Sequence, residues 1–192
     1  MNDAIQDAIN GMAGHVGLLD DIMKLAAKDL VFVVVPLILL LWFLPGARAG
    51  RALRQRVAFV AVVAAVLALA AGMVAGQLYS DSRPFVSEPG VTRLLISHRA
   101  DNGFPSDHAL VSFAVAGGLF AWRWMAGLAA AIVATFIGIA RIFVGVHWPL
   151  DIVGGAVIGL LAGELVARTL PLLEAVQRRA ATLLPGWLLE SP

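Results

Sequence analysis

Five stretches of this chain, near residues 29–45, 57–79, 107–122, 125–141 and 150–170, are apolar almost throughout. A bilayer core takes about 20 apolar residues of helix. Backbone polar groups in lipid must be satisfied inside the protein, which leaves only helices or closed barrels. Continuous apolar runs, rather than strict alternation, select helices. The sequence therefore predicts an all-α fold, a polytopic membrane helical bundle of about five transmembrane helices. The composition agrees: 60% of the 192 residues are hydrophobic and 14% charged, against about half and about a quarter in soluble domains. A net charge of +1, with no basic stretch interleaved with aromatics, excludes a nucleic-acid partner. The absence of cysteine excludes disulfides and thiolate chemistry.

The length suits one integral-membrane domain over 1–192. Within it, residues 1–27 are expected to form N-terminal amphipathic interfacial helices, with Ala4, Ile5, Ala8, Ile9 and Met12 at helical spacing and a second stripe through Leu18, Leu19, Ile22, Met23 and Leu25. An ordinary packing helix fits the same pattern. Acids precede any apolar run there, so no cleavable leader is read. Residues 29–170 form the expected five-span core and 171–192 a cytoplasmic tail. The basic residues set the orientation. Arg48, Arg51, Arg54 and Arg56, then Arg123, then Arg168, Arg178 and Arg179 fall on one face of a five-span bundle, and the positive-inside rule makes that face cytoplasmic. The 80–106 loop and the 142–149 connection then face outward. Lys24 and Lys28 also fall outside, offset by Asp20, Asp21 and Asp29.

The unusual polar residues gather on the outer face. "SDSRPF" supplies Arg83, "NGFPSDHAL" supplies Ser106, Asp107 and His108, and "RIFVGVHWPLD" supplies Arg141, His147 and Asp151. Ionisable groups at membrane depth are costly and point to function. Two arginines offer forked donors for phosphate or carboxylate oxygens. Ser106, after a proline and before an apolar run, suits an N-cap, which would aim backbone N–H groups at an anion. His147 and Asp151 are four apart, a spacing that puts side chains on one helical face. Pro149 suits the first helical turn, which leaves His147 in the lead-in. An aspartate accepting from one ring nitrogen would fix the tautomer and free the other nitrogen to attack phosphorus. His108 would then protonate the leaving oxygen. Asp101, Asp107, His108, His147 and Asp151 are also metal-ligand types, but two arginines would repel a divalent cation, and no metal site is expected. His98 and Arg99 read as loop residues that are solvated or steer a headgroup, and His15 as structural. Glu164 is spaced to pair with Arg168, and Gly154, Gly155, Gly159 and Gly163 to allow close helix packing.

These segments resemble the signature of the type 2 phosphatidic acid phosphatase superfamily: K-x6-R-P, then P-S-G-H, then S-R-x5-H-x3-D. Ala140-Arg141, five residues, His147, three residues and Asp151 reproduce the third motif's spacing. Pro105-Ser106-Asp107-His108 matches the second and Arg83-Pro84 the first. The resemblance covers roughly residues 29–170. It implies a helical bundle and metal-independent, cofactor-free hydrolysis through a phosphohistidine. His147 is then the nucleophile, Asp151 its orienting partner, His108 the general acid, and Arg83, Arg141 and Ser106 the phosphate ligands. There are three departures. Gly76 stands where the family has lysine, with Gln77 beside it as a tentative substitute, Asp107 replaces glycine, and Ala140 replaces serine.

"FPSDHA" preceded by "DN", and "RPF" without the lysine, are similar to bacterial undecaprenyl-diphosphate phosphatases of this superfamily. The implied reaction takes the terminal phosphate from the C55 polyprenyl diphosphate, recycling the lipid carrier for cell-wall synthesis. The implied place is the bacterial inner (plasma) membrane, with the site facing outward. A phosphatidylglycerophosphate or phosphatidic acid phosphatase stays open within the class, and an anion-binding or transport protein outside it. Oligomeric state has no reading in the sequence.

Overall fold

The computed structural model describes residues 2–32, 36, 40 and 48–183, with the side chains of 48–53 and 173–183 outside that description. Its helices are α1 (Asn2–Asn10), α2 (Gly17–Lys28), α3 (Arg48–Leu78), α4 (Pro84–Ser87), α5 (Asp107–Phe120), α6 (Trp124–Phe143) and α7 (Pro149–Leu183). Among the described residues there is no strand, only one isolated antiparallel bridge between Ser82 and Asn102.

Three stretches are long and apolar enough to cross a bilayer: Arg54–Leu78, Trp124–Phe143 and Pro149–Leu172. Less than half of each is buried within the protein, and Val66, Ile132 and Leu161 are among the large apolar side chains left facing outward. Lipid rather than protein covers such surfaces. Within the stretch expected to span at 107–122 the helix covers 14 residues, about 21 Å, shorter than the other three. It is apolar because it is the centre of the bundle: Ala109, Leu110 and every residue from Ser112 to Gly118 are buried, packed among α3, α6 and α7. The tail expected from 171 is helical through Leu183, continuing past Pro171. Most of the expected first span, 29–45, lies outside the described residues, as do 184–192.

Glycine sets the closest helix approach. Gly155, Gly159 and Gly163 repeat every fourth residue on α7 and face the backbone of α5. A Cβ at Gly159 would come to 2.5 Å from Leu110 O, and one at Gly155 to 2.8 Å from Ala109 Cβ. At this distance the two helices pack backbone to backbone, as small residues permit in membranes.

The N-terminal pair packs on the bundle as well as presenting an apolar outer surface. Ala13, Ala26 and Ala27 bury against Ala140, Phe143, Val144 and Val146 at the end of α6, while Leu18 and Leu25 stay exposed. Asn10 fastens this layer: its Nδ2 donates to Phe143 O (2.8 Å) and Arg93 O (2.9 Å), and its Oδ1 accepts from Arg93 N (2.8 Å). His15 meets Arg93 Nη1 at 2.7 Å, a structural contact.

The loop between α3 and α5 is closed at its base. Gly103 N donates to Asp81 O (2.8 Å). Asn102 Oδ1 accepts from Asp81 N (2.9 Å) and Phe104 N (3.0 Å), and its Nδ2 donates to Gly76 O (2.9 Å). This closure sets Arg83 beside the start of α5. The bundle's opposite end carries Arg56 over the Trp122 ring at 5.1 Å and the Glu164–Arg168 pair at 2.6 Å, the latter as its spacing indicated.

Candidate active site

The chain leaves α6 through Gly145, whose φ of +82° favours glycine, and re-enters helix at Pro149. His147 thus sits in the lead-in to α7 and Asp151 in its first turn. Both are buried, and they meet: His147 Nδ1 lies 3.2 Å from Asp151 Oδ2, which also accepts from Trp148 N at 2.8 Å. The other ring nitrogen, Nε2, faces two guanidinium groups, Arg141 Nη2 at 3.2 Å and Arg83 Nη1 at 3.3 Å. Arginine only donates, so Nε2 carries the lone pair and Nδ1 the proton, which is given to Asp151. The network assigns the tautomer.

Each arginine is held by other segments. Arg83 Nε donates to Asp101 Oδ1 (2.7 Å), Nη1 to Val146 O (2.9 Å) and Nη2 to Asn102 O (3.3 Å). Arg141 Nη1 donates to Ala27 O (3.0 Å), and Nη2 also meets His98 Nε2 at 3.0 Å. Gly103 permits this crowding, since a Cβ there would stand 3.1 Å from Asp151 Oδ2 and 3.5 Å from Arg83 Cγ. Burial, then the charges of Arg141 and Arg83, hold the His147 imidazole well below the usual histidine range. His98 is lowered first by burial. Burial pushes Asp101 up, but its hydrogen bond to Arg83 and the Arg83 charge together hold it below the ordinary carboxyl value.

His108, in the first turn of α5, is half-buried. Its ring lies near the Lys28 backbone and stands edge-on to Phe32, 6.1 Å between centres. Among the described residues its Nε2 has no partner, and neither do Ser106 Oγ, Arg141 Nε and Asp151 Oδ1, all buried. Buried polar atoms are normally bonded, so unused hydrogen-bonding capacity is concentrated here.

Arg83, Arg141, His147, His108, His98 and Asp107 line the polar end of a cavity of about 1010 Å³. Its body is apolar and runs between α3 and α5, with Ala65, Leu69 and Met73 on one wall and Val111 and Val115 on the other. The sequence-derived set therefore converges, with two qualifications. Ser106 occupies the N-cap position but makes no side-chain cap bond. It is fully buried, its N–H donates to Asp151 O at 3.1 Å, and it does not line the cavity. Asp107 is exposed on the cavity wall and bonds neither His108 nor a cationic side chain among the described residues. Gln77 lines the cavity wall. A side chain at Gly76 is impeded, because a Cβ there would lie 3.0 Å from Phe104 O and 3.3 Å from Asn102 Nδ2.

Sequence reasoning underrated His98 and Asp101, which contact the two arginines directly, and missed the carbonyls of Ala27 and Lys28. The polar run His98-Arg99-Ala100-Asp101-Asn102 just before the Pro-Ser-Asp-His stretch is the available signal for the first two. Backbone acceptors leave none.

The PAP2 superfamily model matches residues 57–173, a region containing both arginines, His108, His147 and Asp151. Bacitracin transport permease protein BcrC of Bacillus licheniformis is 30% identical over 171 residues, covering 88% of this chain and 81% of that protein. Undecaprenyl-diphosphatase BcrC of Bacillus subtilis (strain 168) is 28% identical over 168 residues, covering 88% and 83%. The crystal structure of LpxE from Aquifex aeolicus aligns with a TM-score of 0.72 at 24% identity over 87% of this chain and 94% of that one, a likeness of fold.

The surroundings of His147 oppose a second proton, so its neutral form extends below the ordinary value of 6.5. Nitrogen NMR of labelled histidine is expected to show a neutral Nδ1–H ring for His147 at pH 6.5. A ring half-protonated at that pH contradicts the geometry.

Proposed function

This chain belongs to the PAP2 superfamily and is a membrane lipid phosphatase, and we propose that it hydrolyses undecaprenyl diphosphate to undecaprenyl phosphate and phosphate. The observation that carries this reading is the placement of the unprotonated Nε2 of His147 between two guanidinium groups, at the polar end of a long apolar cavity. An anionic headgroup on a polyprenyl chain has both of the features this cavity complements.

In the proposed reaction Arg83 and Arg141 hold the oxygens of the terminal phosphoryl group and offset the charge that spreads over them. His147 Nε2 attacks phosphorus and forms a phosphohistidine. Asp151 keeps the ring oriented and stabilises the imidazolium character that develops. His108 lies on the same cavity wall with Nε2 unpartnered, and serves the leaving oxygen as acid and the attacking water as base. Ser106 backs Asp151 from within, and Asp107 and Gln77 face the headgroup. The proposed reaction is metal-independent, a reading supported by the two guanidinium groups beside His147 Nε2, which would repel a divalent cation.

The name of the Bacillus subtilis relative supports the diphosphate. The bacterial plasma membrane, with the site outward, is the proposed location. The arginines at 48–56, 123 and 168 lie at the other end of the bundle and favour the cytoplasmic side.

Phosphate release by the purified protein in detergent with EDTA tests the reaction. Wild type is expected to prefer undecaprenyl diphosphate over phosphatidylglycerophosphate and phosphatidic acid, and His147→Ala to lose about 10³-fold or more in kcat. Full activity in His147→Ala would sink the mechanism, loss in EDTA the metal independence, and faster turnover of glycerophospholipids the substrate. For orientation, a reporter fused after Gly90 should be external; a cytoplasmic signal reverses it.

A further inference from the structure

A smaller compartment of about 300 Å³ opens off the polar end of the main cavity. His98, His108, Arg141 and Phe32 line both spaces, so the two meet at the residues flanking the reacting centre. Lys28 and Ser97 line only the smaller one. Lys28 is the last residue of α2, and its side chain is exposed. The neighbouring Lys24 is engaged by Asp21 at 2.8 Å, whereas Lys28 makes no ion pair among the described residues. Its main chain runs beside the site: Ala27 O, one residue earlier, accepts from Arg141 at 3.0 Å, and Lys28 and His108 line the same compartment. An ammonium with no ion pair among the described residues is thus carried beside Arg141 and His108.

We propose that this compartment is the subsite for the second phosphate of a diphosphate substrate, the one that departs with the lipid, with the Lys28 ammonium as its counter-charge and the Ser97 hydroxyl as a further donor. The inference rests on the lipid-diphosphate reading above and specifies how that substrate is selected. As His147 Nε2 forms its bond to the terminal phosphorus, the bond from that phosphorus to the bridging oxygen breaks. The electron pair goes to that oxygen, which stays with the lipid phosphate. In-line displacement places this group on the side away from Nε2. A lipid phosphate leaving group carries charge that a cation stabilises, whereas the alkoxide leaving from a monoester mainly needs a proton. Lys28 beside His108 supplies the former, and it lies outside the matched region 57–173.

The test compares full-length wild type, Lys28→Ala and Lys28→Arg in detergent, on undecaprenyl diphosphate and on phosphatidic acid, with inhibition by inorganic pyrophosphate and orthophosphate. The loss of one charge-assisted contact predicts that Lys28→Ala lowers kcat/KM on the diphosphate about 10- to 100-fold, with the monoester rate changed less than about threefold. Lys28→Arg recovers most of the loss, and pyrophosphate inhibition weakens while orthophosphate inhibition does not. An equal loss on both substrates, or an unchanged rate on the diphosphate, overturns the subsite. A wild type that prefers phosphatidic acid overturns the substrate reading instead, and the pyrophosphate comparison then still decides the role of Lys28.

Discussion

Two guanidinium groups and a carboxylate meet, buried, at one imidazole, and much of the surrounding architecture answers the cost of placing them there. Arg83 is 6% exposed, Arg141 3% and Asp151 0%, so all three have given up most of their hydration, a penalty of several kcal/mol per ion that only close partners offset. The partners come from outside the bundle. Arg83 is satisfied by Asp101 and Asn102 of the long loop and by Val146 of the α6–α7 connection. Arg141 is satisfied by the end of α2 and by His98. The N-terminal helix pair and the 79–106 loop, neither needed to close the bundle, are thereby tied to the charges.

The same arrangement decides what chemistry the imidazole supports. A histidine among cations in a dry setting resists a second proton, and the carboxylate at Nδ1 leaves Nε2 as the only free lone pair. A pocket built this way attracts an anion and offers it a nitrogen nucleophile. The apolar cavity behind it suits an anion carried by a hydrocarbon chain. In the proposed reaction, recognition and activation therefore use the same two arginines, and the α2 terminus adds the charge that distinguishes a diphosphate from a monoester.

How much of this was legible in the sequence depended on whether a feature is local. His147 and Asp151 are four residues apart beside a helix-starting proline, so their meeting could be read directly. Hydropathy located α3, α6 and α7, but it registers apolarity alone and could not distinguish a helix facing lipid from one enclosed by other helices. That is why α5, buried at the centre of the bundle, read like the lipid-facing helices around it. The bonds Arg83–Asp101 and Arg141–His98 join residues 18 and 43 apart and depend on the closure of the loop at Ser82 and Asn102. The carbonyls of Ala27 and Lys28 belong to the backbone, which no side-chain pattern records. Lys28 itself looked only like a charge on the wrong face of the positive-inside count. Its place against His108 gives it a physical context that charge counting lacked.

In the proposed mechanism His147 Nε2 becomes covalently bound to phosphorus. The most direct measurement is an alkaline quench of the protein turning over undecaprenyl diphosphate, followed by peptide mass spectrometry. The account predicts an alkali-stable, acid-labile phosphoryl group on His147 that accumulates when water attack is slowed by His108→Ala. A phosphoryl group on another residue, or turnover in that variant with His147 never modified, would contradict it.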